Sequence, residues 1–358
     1  MHNNTKTRPK LTNETFEQFK QEYQTLTNHY KQEYKNQKHV NYQQYEKQWA
    51  TRLTTILQEI ENKIHKATQQ IHTTKPFGRP SQTSPEQKTL ILLQKDLIQF
   101  SSRKMANLLP MFTTLKDIKT SYKTIQRAYS NTIVKMIIHN LFILLVKEKK
   151  IKRPHTSGDG TGYSLSVTRH YRSVREQKGE TVKANMSMST EKETGSKVDT
   201  GENMKRRKLF TYSFAVLDLE SGFYVGYGAS LRSEKAAFDA ALVLMGECGV
   251  EPVSIRLDQY YACQSVAELF GKNRVDLYVI PKRNATLKGS RFWRKLVFCL
   301  MQYPFLFLSE YYRREKSESG FSADKRFSGW KIWQKREDRI HTAQMLKGVW
   351  HNLIWLGG

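Results

Sequence analysis

The chain has 358 residues and a formal net charge of +26, from 59 Lys and Arg against 33 Asp and Glu. Its hydrophobic share of 38% allows a globular core but leaves extensive polar helix surface. The charge far exceeds what solubility needs and indicates a polyanionic partner. Residues 1–150 hold 25 Lys and Arg against 11 Asp and Glu, and the rest of the chain holds 34 against 22, so both halves are basic and a neutral enzyme with an appended basic tail is excluded.

Cysteine usage and hydropathy exclude further classes of protein. Cys248, Cys263 and Cys299 lie far apart without a C-x2-C pair, so we interpret them as buried thiols and expect neither a zinc site nor a disulfide framework. The N-terminus lacks the apolar segment of a signal peptide, and the longest apolar stretches are short and interrupted. We therefore expect a protein that is neither secreted nor membrane-spanning.

Residues 1–74 are predicted to form a helical arm. Residues 12–70 contain no glycine or proline and place apolar side chains at helical intervals. The apolar stripe is patchy, so it allows a helical hairpin or coiled coil without specifying a partner. The segment K-P-F-G-R-P that follows predicts a linker. Its Gly-Arg-Pro core also has the shape of a minor-groove hook, in which Arg79 would enter a narrow A·T groove.

Residues 75–150 are predicted to form a helical DNA-binding domain that resembles a helix-turn-helix. Serines that can act as N-caps, such as Ser84 before Pro85, divide the region into short helices joined by tight turns. A structural three-helix bundle is the alternative, because the turn lacks a diagnostic glycine. The third helix, predicted over 121–146, would present three side chains to the major groove: Lys123, Gln126 and Arg127.

From residue 158 the pattern changes to segments rich in β-branched and aromatic residues, separated by turns. Three strands, then alternating helices and strands, predict an α/β fold with a mixed sheet flanked by helices, preceded by the all-α N-terminal region. The polar residues 172–205 are expected to form a flexible loop. Tryptophans from Trp330 onward follow helical spacing and predict a final helix that closes the core. The predicted strands are 163–171, 209–217, 222–229, 253–257 and 277–280.

Two aspartates in this region are candidate metal ligands. Asp159 lies in G-D-G-T-G at the start of the first predicted strand, where an ordinary turn is the alternative. Asp258 closes the hydrophobic strand V-S-I-R-L-D, and open α/β sheets collect their sites at the carboxyl ends of strands. Carboxylate oxygens are the ligands that hard cations such as Mg²⁺ prefer.

A third carboxylate, Glu318, belongs to the pattern Y-x2-R-x3-E-x6-K. On one helix, Tyr311, Arg314 and Glu318 would share a face, with Lys325 about two turns further on. Taken alone, this pattern also suits a solvated helix face with i,i+4 ion pairs. Next to the two aspartates, it predicts an acid set among side chains that bind phosphate.

Together these motifs resemble the DDE triad of bacterial and archaeal insertion-sequence transposases, in the subgroup that carries this tyrosine-arginine-glutamate-lysine signature. The resemblance covers about residues 155–345 and implies an RNase H-like catalytic domain over 151–358. It also implies that the three acids are catalytic and hold two Mg²⁺ or Mn²⁺ ions. The residues that it implies in binding DNA phosphates are Tyr311, Arg314 and Lys325.

The resemblance implies a DNA transposase that cleaves the ends of its insertion element and joins the 3′-hydroxyls to target DNA. Its partners would be double-stranded DNA, at the terminal inverted repeats and the target, and a second copy of the chain in a synaptic complex. We expect it in the cytoplasm of a prokaryotic cell, at the nucleoid. An RNase H-like nuclease or resolvase that does not join strands, and a non-catalytic DNA-binding regulator, are the alternatives.

Two further features concern DNA near the acids. Lys282 and Arg283 follow a predicted strand and are placed to meet DNA, with a solvated strand end as the alternative. Only 59 residues separate Asp258 from Glu318, whereas well-known members of the subgroup carry a β-rich insertion there. The short spacing therefore does not support a reaction that passes through a hairpin in the DNA. Trp293 could stack on a base, but its apolar helical context indicates the core.

Overall fold

The structure, a computed structural model, describes residues 11–34, 42–71, 81–166 and 210–356. The predictions for Arg79 and for the loop at 172–205 lie outside these residues. Within them, no single helix is long and apolar enough to cross a membrane. One helix pair, Tyr122–Ala128 with Thr132–Glu148, passes the test of length and composition jointly, and it is bent by 57°.

The N-terminal half is helical, as predicted. Ser84 and Ser101 cap the helices that follow them, and Ser84 forms a capping box with Gln87. The segment predicted as one helix from residue 121 is two helices, because Asn131 accepts a hydrogen bond from the amide of Val134 and starts a new one. The helices are α1 (Asn13–Tyr34), α2 (Tyr42–Gln69), α3 (Pro85–Leu97), α4 (Ser102–Leu108), α5 (Tyr122–Ala128) and α6 (Thr132–Glu148).

The C-terminal half is a mixed sheet flanked by helices. Its strands are β1 (His155–Leu165), β2 (Phe210–Asp218), β3 (Tyr224–Ser230), β4 (Ser254–Arg256), β5 (Asp276–Tyr278) and β6 (Lys331–Ile332). Its helices are α7 (Glu234–Glu247), α8 (Gln264–Lys272), α9 (Arg291–Gln302), α10 (Pro304–Tyr312), α11 (Glu315–Ser328) and α12 (Glu337–Leu356).

The strand order is β3-β2-β1-β4-β5, with β6 added to the end of β1. The pairs β1–β2 and β2–β3 are antiparallel, whereas β4 and β6 pair with β1 in parallel, and β5 pairs with β4 in parallel. This arrangement confirms the predicted mixed sheet and is consistent with an RNase H-like core.

The first strand begins earlier than predicted, at His155, so Asp159 lies within a strand and not in a turn. The glycines that suggested a turn allow close packing instead. A methyl group at Gly158 would lie 2.7 Å from Leu257 Cδ2, and one at Gly160 would lie 2.3 Å from the carboxyl carbon of Glu234. Glycine in this strand therefore reflects side chains that pack directly against its backbone.

Two other predictions from residue type are wrong. Trp330 and Trp333 do not belong to the final helix, which begins at Glu337; they flank β6 and are 61% and 58% exposed. Of the cysteines, only Cys248 is buried, whereas Cys263 is exposed. Trp293 is buried, and its indole N–H donates to the carbonyl of Thr286, as expected of a core residue.

One hydrophobic core joins the helical region to the sheet. Helix α12 packs against α2, α3 and α6 on one side and against β3 on the other. Polar contacts reinforce it: the Lys347 ammonium lies 2.9 Å from the Asp96 carboxylate, and the Trp350 indole donates to the carbonyl of Leu93. Helix α1 packs on the opposite region, where Phe16 is buried in the same cluster as Trp293.

Candidate active site

The two candidate aspartates lie next to each other because of the sheet register. Ser157 of β1 is opposite Arg256 of β4, and both strands run in the same direction. Continuing this register by two residues places Asp258, just beyond the end of β4, beside Asp159. The candidate site therefore lies at the carboxyl end of β4, where the sequence placed Asp258.

Helix α11 brings Glu318 to the same place, because it lies along β1. Near its start, the hydroxyls of Ser157 and Ser317 are 2.9 Å apart, and near its end the Lys325 ammonium donates to the Thr161 hydroxyl. Asp159 points to this face of β1, because it lies two residues from both Ser157 and Thr161 in the strand. Glu318, in the first turn of α11, thus faces Asp159 across the groove between helix and strand.

Arg314 ties the acids together. Its guanidinium lies 2.7 Å from a Glu318 carboxylate oxygen and 3.7 Å from one of Asp258. Both carboxylates are about half exposed, at 50% and 45%, while the arginine is 18% exposed. The sequence pattern is therefore an i,i+4 ion pair, as the alternative interpretation had it, and part of an acid set at the same time.

The environment changes the ionisation of Asp159. Burial raises the pKa of its carboxyl from 3.8 to about 6, with smaller increases from Glu318 and Asp258. Arg314 and the backbone amide of Gly160, which donates to Asp159 Oδ1 at 3.0 Å, act in the opposite direction. A shared site of carboxylates around one buried acid is the arrangement that a cation would stabilise.

Tyr311 lies on a different helix from Glu318, contrary to the prediction of one shared helix. Helix α10 ends at Tyr312, and Arg314 precedes the next helix, so the chain bends between tyrosine and glutamate. The side chains still meet, because the Arg314 guanidinium lies 5.6 Å from the centre of the Tyr311 ring. Burial raises the pKa of Tyr311 to about 12.

The described side chains include no group of three or more His, Cys, Asp or Glu that could hold a metal ion in their present positions. Arg314 supplies the counter-charge to Asp258 and Glu318 instead. The donor chemistry nevertheless fits a hard dication, because three carboxylates share one electrostatic site and carboxylate oxygens are the ligands that such ions prefer.

Similarity to a known protein decides the family. A probable transposase for insertion sequence element ISA1214 of Archaeoglobus fulgidus is 39% identical to the chain over 298 residues, which cover 83% of either chain. No protein-family model matches the chain. The identity extends over most of both proteins, so the two share a fold and an ancestor. The chain belongs to the insertion-sequence transposases.

In this transposase, the five further described residues that were predicted to bind DNA lie in two places. Lys282 follows β5 beside the acids, with its ammonium 5.4 Å from the centre of the Tyr260 ring, and Arg283 next to it is exposed. The other three, Lys123, Gln126 and Arg127, are all exposed on α5 in the helical region. Their accessibility is compatible with contacts to DNA, which stay a prediction.

The segment between Asp258 and Glu318 contains α8, β5, α9 and α10. The structure describes every residue of this segment, and the segment contains no β-rich insertion. The finding agrees with the short spacing in the sequence. The hairpin step that such an insertion accompanies in relatives gains no support.

Sequence reasoning missed a buried arginine that supports the site. Arg256, only 1% exposed, ends β4 two residues before Asp258. Its guanidinium pairs with the Glu310 carboxylate, donates to the Glu310 carbonyl at 3.2 Å, and bonds Ser254 and Thr156. It thereby joins β4 to α10. The sequence signal that could have revealed this role is the presence of a charged residue, Arg256, inside the otherwise uncharged strand that precedes Asp258.

Proposed function

We propose that the protein is a DDE transposase of the subgroup with the tyrosine-arginine-glutamate-lysine signature. The supporting observation is that Arg314 contacts both Asp258 and Glu318, while both of these acids influence the ionisation of Asp159. Three acids that are distant in sequence thus share one electrostatic site. This convergence is what metal-dependent cleavage and joining of DNA needs.

In this proposal, Asp159, Asp258 and Glu318 hold two Mg²⁺ or Mn²⁺ ions. When bound, the ions supply positive charge to the attacking and leaving oxygens of an in-line displacement at phosphorus. Asp159 on β1 and Asp258, just beyond the end of the adjacent β4, would provide one side of the site, while Glu318 approaches from α11. Burial of Asp159 makes its ligand form pH-dependent, since the carboxyl must lose its proton first.

Arg314 and Lys325 would bind the phosphates of the DNA. An arginine released from two carboxylates can turn its planar fork to a phosphate. Lys325 is held near the acids by Thr161, and burial lowers its pKa while Asp159 raises it. Both cations therefore stand beside the position where the scissile phosphate would lie. Tyr311 would orient Arg314 through the contact between its ring and the guanidinium.

The helical region would recognise the terminal inverted repeats, with Lys123, Gln126 and Arg127 of α5 in the major groove. Lys282 and Arg283 would contact DNA at the acids. A homodimer would bring the two element ends together. The net charge of +26 supports extended contact with DNA phosphates on both regions.

The test is cleavage of DNA that carries the element end by the Glu318→Gln variant in the presence of Mg²⁺. The amide cannot provide the charged ligand, so we expect the rate of cleavage to fall by roughly 100-fold or more. Binding of the same DNA without metal should stay near the wild-type level. A wild-type cleavage rate would overturn the assignment of the three acids.

A matched control is Glu268→Gln on α8, where the carboxylate, 40% exposed, pairs i,i+4 with Lys272 at 3.7 Å. This variant makes the same chemical change outside the site and should cleave normally. Joining is tested separately with a precut 3′-hydroxyl end and target DNA. Cleavage without joining would support a nuclease or resolvase, and binding without either would support a regulator.

A further inference from the structure

Two exposed tryptophans lie beside the site. Trp330 and Trp333 flank β6 and are 61% and 58% exposed, so a large part of each side chain is accessible to a ligand. The Trp330 carbonyl accepts a hydrogen bond from the amide of Ser164, five residues along β1 from Asp159. At about 3.3 Å per residue, Trp330 is roughly 16 Å from the acids along the strand.

Between the acids and the tryptophans, β4 and β6 leave a stretch of one edge of β1 without a strand partner among the described residues. Because β2 pairs along the whole of one edge of β1, β4 and β6 share the other edge, at residues 155–157 and 164–165. The edge between them, which includes Asp159 and Thr161, is thus bordered by β4 on one side and by Trp330 on the other. Lys325 spans this stretch, since its ammonium bonds Thr161 and lies 5.0 Å from the centre of the Trp330 ring.

Each tryptophan is accompanied by a cation. Lys331 lies 4.6 Å from the centre of the Trp333 ring, as Lys325 does beside Trp330. A stacked nucleotide needs an aromatic face for its base and a positive charge for its phosphate, and each of these pairs offers both. When a base occupies the ring, the flexible lysine can move to the adjoining phosphate.

Beyond Trp333 a basic groove of about 700 Å³ continues towards the predicted recognition helix. Arg336 in this groove pairs with Asp338 at 3.1 Å, and Arg339 donates to the hydroxyl of Ser130. The groove connects α5, through Gln126, to the segment after β6. Its basic lining residues are Lys95, Lys104, Lys335, Arg336 and Arg339.

We propose that Trp330 and Trp333 form a stacking platform for unpaired nucleotides of the DNA strand that leads from the acids into this groove. Duplex DNA does not fit this role, because its base faces are covered by neighbouring bases, whereas unpaired bases offer them to tryptophan. The proposal rests on the proposed function for the source of the strand, but the binding chemistry stands on the platform itself.

The experiment measures binding by the full-length protein, without divalent metal, of a labelled mixed-sequence single strand of about 20 nucleotides and of the matching duplex. Trp330→Ala and Trp333→Ala should each lower affinity for the single strand between about 5-fold and 100-fold, and affinity for the duplex less than about twofold. The single strand should also quench tryptophan fluorescence less in each variant.

The control is Tyr303→Ala, which removes another exposed aromatic side chain, 56% exposed, between α9 and α10. It should leave both affinities unchanged. Trp330→Tyr and Trp333→Tyr should keep most of the single-strand affinity, because tyrosine can still stack; this separates stacking from a loss of folding.

Equal losses for single strand and duplex, or no loss for the single strand, would overturn the platform. Because no cleavage is measured, this result is independent of the Glu318→Gln experiment. Normal cleavage by Glu318→Gln would reject the assignment of the acids while leaving single-strand binding by the tryptophans intact. If Glu318→Gln loses cleavage as expected but the Trp→Ala variants bind the single strand as the wild type does, the platform alone is rejected.

Discussion

Single residues at this site are held in states that they would not have in water. Asp159 keeps its proton to a higher pH because burial disfavours its charged form. Arg314 has two acids within 4 Å, and these charges, with those of Tyr311 and Asp159, raise its pKa although burial alone lowers it. Without metal, Arg314 therefore balances the negative charges of Asp258 and Glu318. We expect bound cations and DNA to change these ion pairs.

The raised pKa of Asp159 predicts a pH dependence of stability. Between 3.8 and about 6, the folded protein retains a proton that the unfolded chain has released, so stability falls as pH rises through this window. The Asp159→Asn variant has no carboxyl at this position, so it lacks this pH-dependent loss of stability. Its free energy of unfolding, relative to wild type, should increase by up to about 3 kcal/mol between pH about 4 and pH about 7. Urea unfolding at both pH values, without metal, measures the change; a pH-independent difference contradicts it.

The burial of Arg256 predicts that its replacement destabilises the protein more than replacement of the exposed Arg313. Arg256→Lys cannot reproduce the bonds to Glu310, Ser254 and Thr156, so we expect a loss of about 2 to 3 kcal/mol in the free energy of unfolding. Arg313→Lys is the control, since Arg313 pairs with the same Glu310 but is 42% exposed; it should cost less than about 0.5 kcal/mol. Similar losses in both variants would show that burial does not matter.

At the scale of elements, α11 carries both Glu318 and Lys325, so its placement sets the site. A buried cluster holds it: the Tyr224 hydroxyl donates to Asp324 at 2.8 Å, and the His351 ring bonds Asp324 on one side and the carbonyl of Gly222 on the other. The tyrosine and histidine rings also stack, with centres 3.5 Å apart. These contacts join α11 to β3 and α12.

Helix α7 lies unusually close to β3, and Gly226 and Gly228 of this strand make the approach possible. A methyl group at Gly228 would lie 1.9 Å from the carbonyl oxygen of Ala237, so Gly228→Ala must push helix and strand apart. We expect it to lower the free energy of unfolding by about 3 kcal/mol. The matched control is Gly246→Ala in α7, where nothing lies within 4 Å and alanine should stabilise by about 0.5 to 1 kcal/mol. Thermal unfolding distinguishes the two; equal effects contradict the packing argument.

At the scale of the whole molecule, the helical region and the sheet share one core. The apolar face of α12, including Leu346, Val349 and Trp350, is buried between them. Its buried lysine pairs with Asp96 of α3. The predicted boundary near residue 150 therefore separates kinds of secondary structure, but the hydrophobic packing continues across it.

This packing predicts that residues 151–358 do not form a stable unit alone. Without α2, α3 and α6, the fragment would expose the apolar face of α12 to water. We expect it to bind a hydrophobic dye and to lack a sharp thermal transition, while the full chain unfolds in one. Calorimetry of both proteins checks this. A fragment that unfolds cooperatively near the midpoint of the full chain would show two independent domains.

The sequence by itself determined most element types and predicted which three acids form the candidate site. Caps, helical periodicity and alternation are local signals, so Ser84 could be predicted as a cap and Asp258 as lying at the carboxyl end of a strand, which ends two residues before it. The pattern around Glu318 also depends only on order along the chain. Glycines misled the prediction at β1, because a turn and a close approach of another element use the same residue.

Only the tertiary structure decided what these residues face. The bend between Tyr311 and Glu318, the arginine between two acids and the exposure of Trp330 depend on contacts between elements far apart in sequence. Helical spacing predicted a buried stripe at Trp330, but pairing of β6 with β1 placed that tryptophan on the surface. Local patterns specify which side chains can share a face, whereas packing between distant elements determines whether that face meets the core, an acid or the solvent.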